Sequence, residues 1–81
     1  MRMSFRDRMK MAKAMKKLSV AMNATPAELA KAAREGDVEA QQAIDAALKA
    51  EGLDFNWQSI VEELLSIAFQ WLTSLITNLF D

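Results

Sequence analysis

Residues 57–80, WQSIVEELLSIAFQWLTSLITNLF, decide how this chain is to be read. Val61, Leu65, Ala68, Leu72, Leu75 and Leu79 recur at alternating spacings of three and four, the pattern of an apolar seam along a helix. Trp57, Ile60, Leu64, Ile67 and Trp71 form a second seam beside the first. The remaining stripe is Ser59, Glu63, Ser66, Gln70, Thr73 and Thr77, narrow and uncharged after Glu63. The spacing predicts one long helix over 57–80, capped by Asn56, with Phe55 and Ile60 placed as a hydrophobic staple. Between Leu64 and Phe80 there is no charge. That run sits at the lower edge of what crosses a bilayer, where about 20 residues are typical. Its Ser, Thr, Gln and Asn side chains are many for a helix surrounded by lipid.

Upstream of this segment the apolar content drops. Residues 23–54 hold only Leu29, Val38, Ile44, Leu48 and Leu53 as large apolar side chains. Thr25-Pro26-Ala27-Glu28 has the form of a capping box with proline at the first helical position. It predicts a helix over 26–35 that stops at Gly36. Asp37 then caps a helix over 38–51, which Gly52 ends in the same way. Thr25-Pro26, residues 32–36 and residues 52–56 resemble pieces of an ankyrin repeat, but both helices are too long for one. No second copy is present either, and such repeats need neighbours to fold. The segment is read as two capped, alanine-rich helices.

Residues 1–22 predict a basic amphipathic helix from about residue 4. Phe5, Met9, Ala12, Met15, Leu18 and Met22 share one face. Arg2, Arg6, Arg8, Lys10, Lys13, Lys16 and Lys17 stand against Asp7 as the only acid. The overall charge of −1 therefore hides a basic head on an acidic body. Such a head fits an anionic surface, nucleic acid or lipid, or packing between head and body of different copies. The segment lacks the apolar run of a secretory signal, and Asp7 counts against a transit peptide. In charge layout the chain is similar to filamentous-phage coat proteins, with the order reversed. That likeness implies a type of work: a small subunit that tiles a surface while one end neutralises an anionic polymer or membrane.

These pieces predict an all-α fold of four short-to-medium helices, a small bundle or a helical assembly subunit. It divides into a basic helix (1–22), a capped pair (23–54) and an apolar C-terminal helix (55–81). Eighty-one residues make at most one small domain. Without cysteine there is neither a disulfide nor a thiolate ligand. This fits a reducing compartment or a membrane- or virion-associated setting. Without histidine or cysteine the usual nucleophile systems and zinc sites are missing. Glu62 and Glu63 are adjacent, so on a helix they point apart. Glu35, Asp37 and Glu39 lack calcium-loop spacing. No catalysis, cofactor, metal or small-molecule substrate is expected.

Burying a large apolar side chain is worth ~1.5–3 kcal/mol, and the tail has more of them than the first three helices are expected to cover. Trp57, Val61, Leu64, Leu65, Ala68, Trp71, Leu72, Leu75, Ile76 and Leu79 are the expected oligomer or membrane interface. Three functions follow. The first is an assembly subunit that oligomerises through its C-terminal helix and meets an anionic surface with its basic helix. The second is a membrane-active or tail-anchored protein. The third is a helical adaptor for one protein partner.

Overall fold

Each helix is set by its ends. The computed structural model describes residues 3–80, and among them every regular element is helical. α1 (Phe5–Met22) starts where Ser4 accepts the Asp7 amide and ends at Asn23, whose left-handed φ of 53° lets the chain turn out of the helix. α2 (Pro26–Arg34) carries the predicted capping box: the Thr25 hydroxyl accepts the Glu28 amide and the Glu28 carboxylate accepts the Thr25 amide, both at 3.1 Å. Those bonds from Thr25 hold the Glu28 carboxyl below its ordinary pKa of 4.5. Gly36, at φ +102°, closes α2, and the Asp37 amide returns to the Ala32 carbonyl. α3 (Val38–Ala50) is capped by Asp37, and the turn after it needs the positive φ of Gly52.

α4 (Trp57–Leu65) has two acceptors at its start. Asn56 takes the Ser59 amide at 2.9 Å, and Asp45 reaches across from α3 to take the Trp57 amide at 2.7 Å. The helix then ends. Ser66 is extended, at φ −79° and ψ 152°, and α5 (Ile67–Phe80) leaves at 84° to α4. The single long helix predicted for 57–80 is thus corrected to two helices hinged at Ser66. Its hydroxyl serves both: it donates to the Glu63 carbonyl at 2.8 Å and accepts the Phe69 amide at 3.0 Å.

The reason for the break is burial. An unbroken helix over 57–80 would run about 36 Å, longer than the largest dimension of the folded chain, 32 Å. Bending at Ser66 lets both halves face one core. Met11 and Met15 of α1, Leu29 of α2, Ile44 and Leu48 of α3, and Ile60 and Leu64 of α4 meet Phe69, Leu72 and Ile76 of α5 there. Among the described residues no polar or charged one is buried with them. α4 packs on α2, α3 and α5, whereas α5 packs on α1 and α4.

Candidate interaction surface

The tail's apolar residues divide into covered and uncovered sets. Ile60, Val61, Leu64, Phe69, Leu72 and Ile76 are each no more than 6% exposed within the single chain. Four of the ten expected interface residues, Val61, Leu64, Leu72 and Ile76, therefore lie in the chain's own core. Trp57 and Leu65 are half-buried against that core. Ala68, Trp71, Leu75 and Leu79 are exposed. The helical period alone does not separate these sets, because both seams are apolar; the bend at Ser66 decides which flank turns inward.

Ile67, although its position in the second seam is legible, is the most exposed large apolar side chain among the described residues, at 83%. With Trp71 (63%), Leu75 and Leu79 (67%) it stands at strict four-residue spacing, one ridge along the outer flank of α5. The opposite flank is polar. Gln70, Thr73 and Ser74 line a groove with Thr25, Pro26 and Ala27 at the start of α2. Thr73 and Ser74 donate their hydroxyls back to the Phe69 and Gln70 carbonyls one turn earlier.

α1 carries the described part of the expected cationic surface; Arg2 lies outside the described residues. Arg8 and Lys17 each reach an acid of the chain itself. The Arg8 guanidinium lies 3.1 Å from Glu63 of α4, with its Nε buried and lacking an acceptor among the described residues. The Lys17 ammonium lies 3.4 Å from Glu51 at the end of α3. Arg8 thereby links α1 to α4 while its side chain stays partly exposed. Arg6, Lys10 and Lys13 are exposed, and Lys16 is half-buried.

α1 and α5 meet along a groove of about 400 Å³ lined by Lys13, Lys16, Lys17, Val20 and Ile76. Its walls are almost wholly carbon, as expected where lysines line a groove with their aliphatic stems. Val20, 75% exposed, sits among the cations. The ridge residue Leu79 stands three places from Ile76 on α5, so the end of the ridge adjoins the groove. No group of three or more acidic side chains among the described residues is placed to hold a metal ion. No protein-family model, curated protein sequence or solved structure matches this chain.

Proposed function

We propose that this protein is a non-catalytic assembly subunit, in which copies associate through the outer flank of α5 and the basic face of α1 meets an anionic surface. The observation that carries this reading is the exposed ridge of Ile67, Trp71, Leu75 and Leu79 on a helix without a charged residue. A charge-free ridge meets its own copy without like-charge repulsion and without desolvating an ion.

Magnitudes set the strength of the association. Four such side chains supply roughly 6–12 kcal/mol when fully covered, against a cost of association of about 4–15 kcal/mol. The two ranges overlap, so self-association is expected to be reversible and concentration-dependent. Sedimentation velocity over a wide concentration range tests this. The Trp71→Asp variant should remain folded, because Trp71 is exposed, and should stay monomeric where the parent associates. A parent chain that sediments as a monomer throughout would remove the proposal.

One observation supports a second reading, a membrane-active protein. No single helix among the described residues is long and apolar enough to cross a membrane, but α4 and α5 together pass on length and composition despite their bend. Retention in carbonate-washed membranes would support that reading; full recovery in the wash would end it.

A further inference from the structure

We infer that α5 exchanges between two copies of this chain: the bend at Ser66 straightens, and each α5 takes the place on the other copy's α1 that the partner's own α5 has left. The occupant is a second copy, and the surface is the face of α1 that α5 covers within the single chain. This association is separate from the one through the outer ridge of α5.

The hinge supports it first. Ser66 is the single non-helical residue between α4 and α5, and residues 57–80 contain neither glycine nor proline. The local sequence is therefore compatible with one continuous helix. In the bend the Ser66 hydroxyl serves the Glu63 carbonyl and the Phe69 amide. In a continuous helix the same two groups meet the Ile67 amide and the Leu65 carbonyl, so straightening leaves neither unpaired.

Reach supports it next. A continuous helix keeps Val61, Leu72 and Ile76 on one face, with Leu64 and Phe69 flanking it. At about 36 Å such a rod exceeds the 32 Å of the fold. Its second half must project from its own core and carry Phe69, Leu72 and Ile76, all buried in the bent chain, out with it. The same movement uncovers α1.

The third support is a fit that already exists. Among the described residues α5 packs on α1 and α4 only, so α1 is its one remote neighbour. α5 holds no charged residue, so it leaves α1 without breaking a salt bridge of its own. The uncovered α1 of a second copy offers the same residues in the same order. The exchanged contact therefore needs no new complementarity, only the cost of bringing two copies together.

The test unfolds the full chain in urea and refolds it at low and at high concentration. The expected product at high concentration is a dimer that outlasts dilution, because its parting requires α5 to leave the other copy's α1. Association through the ridge would instead re-equilibrate at once. An equal mixture of isotope-labelled and unlabelled chains, refolded together, should show methyl contacts in filtered spectra between α5 of one chain and α1 of another. Ile67→Pro is the decisive variant. Proline is welcome at the first position of α5, and the extended Ser66 suits the residue before it. In the straight rod the same proline clashes with the Glu63 carbonyl, so the slow dimer should fall at least about a hundredfold while the monomer's melting temperature holds. Ile67→Ala removes the same exposed side chain without blocking the rod and should keep the slow dimer, as should Trp71→Asp.

A refolded chain that is monomeric at every concentration would overturn the exchange. So would a slow dimer whose α1–α5 contacts all lie within one chain, a result read on the parent sequence whether or not Ile67→Pro folds. A slow dimer untouched by Ile67→Pro, or removed as fully by Ile67→Ala or Trp71→Asp, would overturn it as well. Rapid association without a slow dimer would remove the exchange and spare the ridge; a slow dimer without rapid association would do the reverse.

Discussion

α4 and α5 are two halves of one apolar segment, and each sends three large side chains into the core, yet they are covered unequally. α4 is short, has neighbours in α2, α3 and α5, and buries Ile60, Val61 and Leu64. α5 is longer and more apolar, packs on α1 and α4, and leaves a full ridge uncovered. Hydrophobicity therefore does not rank these helices by burial. The number of flanks with a neighbour does, and that number follows from the bend at Ser66. What a helix offers to partners is the apolar surface left over after its own chain has been served.

The sharpest way to break this comparison is to truncate one residue in each half. Leu64→Ala, at 0% exposure, is expected to cost about 2–5 kcal/mol in urea unfolding. A cost below 1 kcal/mol would mean that α4 is not the better covered half. Ser66→Ala comes next. It removes the acceptor for the Phe69 amide and the donor to the Glu63 carbonyl, at an expected cost of about 1 kcal/mol. An unchanged unfolding midpoint would show that the hinge does not need the hydroxyl.

A smaller effect reaches α4 through α2, the helix that covers it. Glu28 has its carboxyl pKa lowered by the bonds from Thr25, so its contribution to stability is present above the ordinary 4.5 and is lost as pH falls through the lowered value. Protonation costs the folded chain bonds that the unfolded chain lacks. Melting temperatures of the parent and of Glu28→Gln should converge on acidification; a gap that widens would give Glu28 the wrong sign. The smallest effect is Leu79→Ala. At 67% exposure it should change stability by no more than about 0.5 kcal/mol while weakening self-association. A large loss of stability there would mean that the ridge belongs to the fold.

Most of the helical framework is legible in the sequence because its ends are marked. Thr25 with Glu28, Asp37, Asn56 and the two glycines each announce a start or stop with a side chain or a backbone freedom, and all act where expected. Ser66 acts as a cap too, but the residue three places on is Phe69 rather than an acid, so half of the reciprocal signal is missing. The apolar seams run through it without a gap, and periodicity alone favours continuity. The break is a tertiary decision, made because two shorter helices reach a shared core that one rod cannot. For the same reason the seam residues could not be sorted into core and surface. Leu72 and Leu75 are the same residue three places apart, and only the neighbour on one side distinguishes them. The cationic face of α1 was legible as a charge run, whereas the commitment of Arg8 to Glu63 spans 55 positions and leaves no local trace.

α4 is held at both extremities by other helices: Asp45 of α3 takes its first amide and Arg8 of α1 takes Glu63 near its last turn. Among the described residues α5 shows no such pair of polar ties; Ser66 holds its start, and Phe69, Leu72 and Ile76 seat it in the core. Along most of its length α5 is therefore seated by carbon packing, so denaturant that weakens such packing is expected to loosen α5 before α4.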